Sequence, residues 1–175
     1  AARLDHPHIV SIFEVGTHDR QPFFSMQYVA GTTLAQRVQA GPLPAGEAAT
    51  ILIPVCRAVA AAHRAGVLHR DLKPSNVLID DAGRPYVTDF GLAKQIGGDF
   101  TITMSGAIQG TPAYMSPEQS RGDQIDFRSD VFSLGVILYE MLTRTKPFEA
   151  STDFHLLQKI QTRDPRNPRA IDAKI

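Results

Sequence analysis

Two segments of the chain place apolar residues at the three- and four-residue spacing of an amphipathic helix. The first predicts a helix over residues 45–65, ended by Gly66, and Pro54 inside it is expected to remove one backbone hydrogen bond. Its predicted buried face is Ile51, Leu52, Val55, Val59 and Ala62. The second predicts a helix that is capped by Ser129 or Asp130 and continues through Thr143. Its predicted buried face is Val131, Leu134, Ile137, Leu138 and Met141.

Short runs of β-branched and aromatic residues predict strands near the start of the chain. Residues 9–15 and 23–29 are two such runs, separated by a polar turn over 18–22, and Gly31 is expected to end the second strand. The apolar runs 77–79 and 86–88 flank a turn sequence and predict a hairpin.

The remaining pattern predicts shorter helices and a long loop. Thr33 is a suitable N-cap for a helix over 34–40 that Gly41 closes, and residues 154–160 also have a helical pattern. Residues 95–116 are rich in Gly, Thr and Ser without periodicity, which is typical of a loop. Few strands followed mostly by helices indicate an α+β fold with unequal parts.

Composition narrows the class of protein. The 175 residues are enough for one domain, and 18 basic residues balance 18 acidic ones, which argues against a nucleic-acid partner. The apolar tract 48–62 is shorter than a bilayer requires, so we expect no membrane segment here. The lone Cys56 fits a reducing, cytoplasmic setting for this domain, whether or not a longer protein is anchored to a membrane.

Polar residues that could act together are concentrated in two places. Residues 69–76 read His-Arg-Asp-Leu-Lys-Pro-Ser-Asn between two short apolar runs, which puts Asp71, Lys73 and Asn76 on one tight loop. Asp89, followed by Phe90 and Gly91, comes directly after another short run. Two acids and an amide could hold a hard cation through oxygen, and Lys73 adds positive charge for an anion. Taken singly, each of these residues is more often a solvated acid or a turn residue.

The order and spacing of these motifs resemble protein kinases. Residues 69–76 match the H-R-D-L-x-x-x-N catalytic loop, and residues 89–91 match D-F-G. Ser116-Pro117-Glu118 stands where the family has A-P-E, and Asp130 follows at the start of a predicted helix. The Lys-Pro-x-Asn form and residues 110–119 look most like the eukaryotic-like (Hanks-type) Ser/Thr kinases of bacteria. The resemblance implies a protein-kinase-like fold with a mostly helical C-terminal lobe and a remnant of the β-rich N-terminal lobe.

The resemblance also implies roles in transfer of the ATP γ-phosphate to a Ser or Thr hydroxyl of a protein substrate. Asp71 would accept the proton of the substrate hydroxyl, and Lys73 would contact the γ-phosphate. Asn76 and Asp89 would hold Mg²⁺ against the phosphates of ATP. Thr111 would hydrogen-bond near Asp71 and help to select the hydroxyl. His69 and Phe90 are expected to be core residues.

Residues 23–29 resemble the strand and hinge that contact adenine. Met26 falls at the gatekeeper position, and Leu78 would lie beneath the adenine ring. The Gln27 carbonyl and the Val29 N–H would pair with the adenine edge. The family usually has Glu at the position of Gln27, a change that a backbone contact tolerates. Viewed alone, the segment is equally well explained as an ordinary amphipathic strand.

Regulation by phosphorylation is a further implication. Arg70 before the catalytic Asp marks, in the family, kinases that are activated by phosphorylation of the loop after D-F-G. Thr103 and Ser105 match the sites of the bacterial group, and the alternative is a loop that is merely polar.

Several family motifs are missing from the sequence, which has neither the G-x-G-x-x-G loop nor the V-A-I-K lysine. We therefore expect a partial kinase domain over 1–175, with an N-lobe remnant (1–26), a hinge (27–31) and an incomplete C-lobe (32–175). This chain alone is expected to have little kinase activity. Glu118 is expected to lack its usual Arg partner.

Two alternatives to a protein kinase remain at this point. A non-catalytic, kinase-like binding module (pseudokinase) would explain the missing motifs, but it has no need for Asp71, Lys73, Asn76 and Asp89 together. Small-molecule kinases share the H-x-D motif and a metal-binding Asp. They lack the Ser-Pro-Glu segment and the Gly110-Thr111 substrate loop, so they rank last.

Overall fold

The computed structural model describes residues 4–19, 21–90 and 112–175. Within these ranges the strands near the start form a two-stranded antiparallel hairpin, β1 (Ile12–His18) and β2 (Gln21–Met26). His18 pairs with Gln21, and Asp19 takes a positive φ of 47° at the tight turn between them. Both strands are displaced from the predicted runs, because β1 extends to His18 and β2 already begins at Gln21, within the turn that was predicted over 18–22.

A second sheet has three antiparallel strands in the order β3 (Gly31–Thr33), β4 (Val77–Asp80) and β5 (Pro85–Val87). The predicted β4–β5 hairpin is confirmed, with Val77 paired to Val87 and Gly83 at a positive φ of 80°. Strand β3 was not predicted, since Gly31 was expected to end a strand. A Cβ at Gly31 would lie 2.0 Å from the Ile79 carbonyl oxygen, so glycine permits the close pairing of β3 with β4.

Helix α1 (Leu34–Ala40) begins at Thr33 and is closed by Gly41, as predicted. The Thr33 hydroxyl accepts a hydrogen bond from the Gln36 N–H, and the Gln36 side chain accepts one from the Thr33 N–H. This reciprocal capping box satisfies two donors that the first turn of a helix otherwise leaves free.

Helix α2 (Ala45–Arg64) is continuous despite Pro54. Its buried face contains every residue predicted for it and faces the main core. The helix is longer than the tract 48–62, and by length and composition alone it could cross a bilayer, so the argument from tract length was wrong. A helix in the core of a domain can have the same length and composition, and the buried face of α2 packs in the main core.

Three further helices complete the described chain, α3 (Pro117–Arg121), α4 (Phe127–Thr143) and α5 (Asp153–Thr162). Helix α4 is capped by Asp126, whose carboxylate accepts from the Arg128 N–H, and not by Ser129 or Asp130 as predicted. Its predicted buried face is also partly wrong, because Val131 is 55 % exposed and Leu138 is 37 % exposed. The helix is rotated so that Asp130 points inward, and Leu134, Ile137 and Met141 pack as predicted.

The main core lies between α2, α4 and the three-stranded sheet. Its fully buried side chains include Leu34, Val55, Leu72, Val77, Val87, Ile137 and Met141. A second cluster joins α5 to the segment before α3 and consists of Ala113, Phe148, Leu156 and Ile160. The segment that joins α2 to β4 packs against this core through Leu72, and it carries the candidate site.

Candidate active site

The loop that joins α2 to β4 brings three polar side chains together. Lys73 Nζ donates to Asp71 Oδ2 at 2.7 Å. Asn76 Nδ2 donates to the Asp71 carbonyl at 2.9 Å and lies 3.4 Å from Asp71 Oδ2. A short 3₁₀ turn over Pro74–Asn76 brings Asn76 back toward Asp71. The side chains of Lys73 and Asp71 are 21 % and 33 % exposed, so this carboxylate remains accessible to solvent.

The backbone of Thr88 joins this loop to Asp89. The Thr88 N–H donates to the Asn76 carbonyl at 3.0 Å, and the Thr88 carbonyl accepts from His69 Nε2 at 2.8 Å. Asp89 follows with a positive φ of 66° and lies 3.4 Å, through Oδ1, from the Thr88 hydroxyl. A non-glycine residue in this conformation carries a strain of about 1–3 kcal/mol, which is tolerated where neighbouring contacts fix the backbone.

His69 is a buried structural residue, with only 1 % of its surface exposed. Its Nδ1 accepts from the Asp71 N–H at 3.3 Å, which places the ring proton on Nε2, the atom that faces the Thr88 carbonyl. Burial lowers the pKa of His69 below its usual value and favours the neutral ring. The rings of His69 and Phe90 lie 4.7 Å apart, so both residues are in the core as expected.

Asp130 of α4 holds the backbone just before Asp71. Its Oδ2 accepts from the His69 N–H and its Oδ1 from the Arg70 N–H, each at 2.9 Å. His63 Nε2 of α2 lies 2.7 Å from Oδ2 of the same carboxylate, which is 2 % exposed. A buried carboxylate requires this many partners, because desolvation otherwise costs several kcal/mol. The contacts also hold Arg70 at a positive φ of 72°.

The residues expected at the adenine end lie on and after β2. Met26 ends β2, and its sulfur lies 3.8 Å from the Thr88 hydroxyl, next to Asp89. The Gln27 N–H donates to the Ser11 carbonyl at 2.8 Å, which ties the segment to the base of β1. Within the described ranges, the Gln27 carbonyl and the Val29 N–H make no hydrogen bond. Leu78 alternates with the buried Val77 and Ile79 and is therefore on the face of β4 that points away from the core.

Around α3, Glu118 is held by a neutral donor. The Ser129 hydroxyl donates to Glu118 Oε1 at 2.5 Å, so this acid has a hydrogen-bond partner other than the Arg that the resemblance implies. Burial raises the pKa of Glu118, but the hydrogen bonds from Ser129 and its own helix turn outweigh that effect and lower it overall. Nearby, the Tyr114 hydroxyl donates to Glu140 Oε2 at 2.6 Å, which fixes the segment before α3 against α4.

Comparison with known proteins assigns the family. The model of the protein kinase domain family matches residues 1–172. The chain belongs to the protein kinase domain family. It is 39 % identical over 173 residues to the serine/threonine-protein kinase PknB of Mycobacterium leprae, covering 96 % of this chain and 28 % of that protein. It is 41 % identical over 173 residues to the serine/threonine-protein kinase PknL of Mycobacterium tuberculosis, covering 98 % of this chain and 43 % of that protein.

A third relative is the serine/threonine-protein kinase PrkC of Bacillus subtilis, 40 % identical over 171 residues that cover 97 % of this chain and 26 % of that protein. The chain thus spans between 26 % and 43 % of the length of these three relatives. The resemblance to bacterial Ser/Thr kinases and the α+β kinase fold are both confirmed.

Within this kinase domain, the structure brings together the catalytic-loop residues and Asp89. The side chains of Lys73 and Asn76 both contact Asp71, and Asp89 directly follows Thr88, whose N–H donates to the Asn76 carbonyl. Thr111, Thr103 and Ser105 lie outside the described residues, as does Gly91. Arg70 is described and half-buried, and its predicted role depends on the loop that contains Thr103 and Ser105.

The chemistry of two side chains fits a magnesium ion. Asn76 turns its amide nitrogen to the Asp71 carbonyl, and among the described residues its Oδ1 has the Ser75 hydroxyl as its one hydrogen-bond donor, at 3.4 Å. Asp89 offers a half-buried carboxylate whose hydrogen bond within the described chain is the 3.4 Å contact from Thr88. Amide and carboxylate oxygens are the protein ligands that Mg²⁺ prefers, with phosphate and water completing its shell.

Sequence reasoning missed two residues that hold the catalytic loop. The sequence assigned His63 only to a helix and Gln119 only to a motif. In the structure, His63 contacts Asp130, which binds the loop backbone, and Gln119 donates to the Arg70 carbonyl of the loop itself. The sequence offers little to mark these two residues. His63 lies six residues before His69 near the end of α2, and Gln119 is the N3 residue of α3, which Ser116 caps.

Proposed function

We propose that the protein carrying this chain transfers the γ-phosphate of ATP to a Ser or Thr hydroxyl of a protein substrate. The observation that carries the proposal is the convergence of Lys73 and Asn76 on the half-exposed carboxylate of Asp71. A solvated loop acid would have no such partners. The names of the relatives, which are serine/threonine-protein kinases, support the same activity.

Asp71 accepts the proton of the attacking hydroxyl and aims its oxygen at the phosphorus atom. The carboxylate is held for this task by the Lys73 ammonium at 2.7 Å and by the Asn76 amide. Phosphoryl transfer has a loose transition state, so positioning and charge neutralisation account for most of the catalysis. Lys73 therefore has a second role, in which it neutralises charge on the transferred phosphate.

Asn76 and Asp89 would hold the magnesium ion, which neutralises the phosphates of ATP when bound. The hydrogen bond from the Thr88 N–H to the Asn76 carbonyl supports this role, because it fixes the backbone next to Asp89 against Asn76. Met26, Gln27, Val29 and Leu78 would contact adenine. The hydrogen bonds described for this segment leave the Gln27 carbonyl and the Val29 N–H available for the adenine edge.

Regulation by phosphorylation is a separate part of the proposal. Arg70 is half-buried beside Asp71, where a phosphate on Thr103 or Ser105 could pair with its guanidinium and order the loop. Phosphopeptide mapping of the active full-length protein should find one of these residues modified. Mapping that finds neither would remove the regulatory role and leave the transfer activity unaffected.

The experiment for the main proposal is transfer from γ-labelled ATP by the full-length protein, with a general Ser/Thr protein substrate and with an aminoglycoside as a small-molecule acceptor. Label on protein Ser or Thr supports the proposal. Label on the small molecule alone would support the small-molecule kinases. ATP binding without any transfer would support the non-catalytic module. In parallel, we expect the 175-residue chain alone to transfer much more slowly.

A further inference from the structure

The peptide bond directly before Asp71 is held by a side chain that belongs to neither the catalytic loop nor α4. Gln119 of α3 donates from Nε2 to the Arg70 carbonyl at 2.7 Å. Its Oε1 accepts from the Ser116 N–H at 3.0 Å, while the Gln119 N–H donates to the Ser116 hydroxyl at 3.2 Å. Both ends of the amide are therefore used, and a flipped amide would place its NH₂ against an N–H and its oxygen against a carbonyl.

This contact complements those from Asp130 and His69. Asp130 binds the Arg70 N–H, which belongs to the peptide between His69 and Arg70. Gln119 binds the Arg70 carbonyl, and His69 Nδ1 accepts from the Asp71 N–H, so the next peptide is held at both of its polar groups. Two consecutive peptide planes are thus fixed, and between them Arg70 is kept at a φ of 72°. The direction of the Asp71 side chain follows from these planes.

Gln119 also belongs to the part of the chain that would face the protein substrate. Helix α3 and the Ser-Pro-Glu segment follow residues 110–115, which carry Thr111 in the proposed substrate loop. The segment is fixed against α4 by the Tyr114–Glu140 hydrogen bond and by the Ser133 hydroxyl, which donates to the Tyr114 carbonyl at 2.8 Å. Through its hydrogen bond to the Arg70 carbonyl, the Gln119 amide joins the Ser-Pro-Glu segment to the backbone of the catalytic loop.

We propose that Gln119 is a positioning residue for phosphoryl transfer, which fixes the Arg70–Asp71 peptide and so aligns Asp71 with the substrate segment. This inference rests on the proposed kinase function. It assigns Gln119 no contact with ATP or with the reacting atoms. Its loss should therefore lower the rate of the chemical step and leave ATP affinity and global stability nearly unchanged.

Two variants of Gln119 separate its hydrogen bond to the Arg70 carbonyl, here called the clamp, from its hydrogen bond with the Ser116 N–H, which caps α3. Gln119→Met has a similar length and loses both hydrogen bonds of the side chain. Gln119→Glu retains an acceptor for the Ser116 N–H and loses the donor for the Arg70 carbonyl. Gln161→Met is the matched control, since Gln161 Nε2 donates to the Ser120 carbonyl at 3.2 Å and thus bonds the same helix without reaching the catalytic loop.

In the full-length protein, both Gln119 variants should lower kcat roughly tenfold or more, because small misplacements of a catalytic group have effects of that size. The KM for ATP and the Tm should stay close to those of the wild type, and Gln161→Met should retain its kcat. Wild-type kcat in either Gln119 variant would overturn the proposal. An equal loss of kcat in Gln161→Met would also overturn it, because the effect would then come from α3 as a whole.

A second readout does not depend on kinase activity. In the full-length protein, amide hydrogen exchange at Arg70 and Asp71 should be roughly tenfold faster in Gln119→Met than in the wild type, and unchanged in Gln161→Met. Unchanged exchange at both amides in Gln119→Met would refute the clamp. If the wild-type protein transfers no phosphate at all, the proposed function fails, and this exchange experiment still decides whether Gln119 holds the loop.

Discussion

The catalytic loop and the β1–β2 hairpin both contribute residues to the proposed nucleotide site, but their surroundings differ. In the loop, the side chains of His69 and Leu72 are each 1 % exposed, and Asp130, which binds the loop backbone, is 2 % exposed. In the hairpin, Phe13 is 63 % exposed and Val15 is 55 % exposed, and every residue of β2 is exposed to solvent.

The means of attachment differ in the same way. The backbone of the loop is bound by the side chains of Asp130 of α4 and Gln119 of α3. His63 of α2 supports the loop indirectly, because it contacts the Asp130 carboxylate. The hairpin is tied down at its base, where the Gln27 N–H donates to the Ser11 carbonyl and the Val10 N–H to the Val87 carbonyl. The groups proposed for catalysis are therefore held by polar contacts with buried side chains. The residues proposed to contact adenine depend instead on backbone positions at the end of an exposed hairpin.

The largest expected effect is the loss of the buried carboxylate on α4. Asp130→Ala removes the acceptor for two backbone N–H groups and leaves His63 without its partner. We expect a decrease of about 3–5 kcal/mol in the free energy of unfolding, measured by urea denaturation.

Asp126→Ala is the matched control, since it removes an aspartate from the start of the same helix. Asp126 caps α4 at the surface, so its loss should cost only about 1 kcal/mol. Equal effects of the two variants would show that burial of Asp130 contributes nothing to the placement of the loop.

A slightly smaller effect should separate the packing of the loop from that of the hairpin. Leu72→Ala removes a large side chain from the main core and should lower the free energy of unfolding by about 2–5 kcal/mol. Phe13→Ala removes a larger but mostly exposed side chain, and its effect should be within about 0.5 kcal/mol. If Phe13→Ala were as damaging as Leu72→Ala in the same denaturation assay, the contrast between the two regions would be wrong.

The smallest expected effect concerns pH. Because burial lowers the pKa of His69 in the folded state, the unfolded chain binds a proton first as the pH falls below about 6.5. Stability from His69 is therefore complete above that pH and decreases below it, by at most about 1.4 kcal/mol per pH unit. Urea denaturation between pH 7.5 and 5.5 should show a shallower dependence in His69→Gln than in the wild type.

His18→Gln provides the control for that measurement, since the His18 side chain is 85 % exposed at the end of β1. Its pH dependence should match that of the wild type. A wild-type slope in His69→Gln would mean that the buried ring is not the group that titrates.

Local sequence rules predicted the parts of the fold that local interactions determine. The bounds of α1 follow from Thr33 and Gly41, and the buried face of α2 follows from its apolar spacing. The β4–β5 hairpin follows from its turn sequence. Strand β3 was missed because its evidence is a tertiary contact, the close approach of Gly31 to the backbone of Ile79.

The errors on α4 have the same origin. Apolar spacing suggested that Val131 and Leu138 face the core, but the helix is rotated so that Asp130 reaches the backbone of His69 and Arg70. A hydropathy pattern does not count a buried carboxylate as inward-facing. Short sequence motifs pointed to Asp71, Lys73, Asn76 and Asp89 as site residues. They did not point to His63 and Gln119, because the hydrogen bonds of these two residues join segments that are distant in the sequence.

The most direct test of the central claim is the turnover of Asp71→Asn in the full-length protein, measured with ATP binding on the same sample. Asn has nearly the same shape as Asp and does not accept the hydroxyl proton. We predict that kcat falls by about 10²–10⁴-fold while ATP affinity changes little. Asp81→Asn, at an exposed position in the β4–β5 turn, should behave as the wild type. Retained turnover in Asp71→Asn would contradict the assignment of Asp71 as the catalytic base.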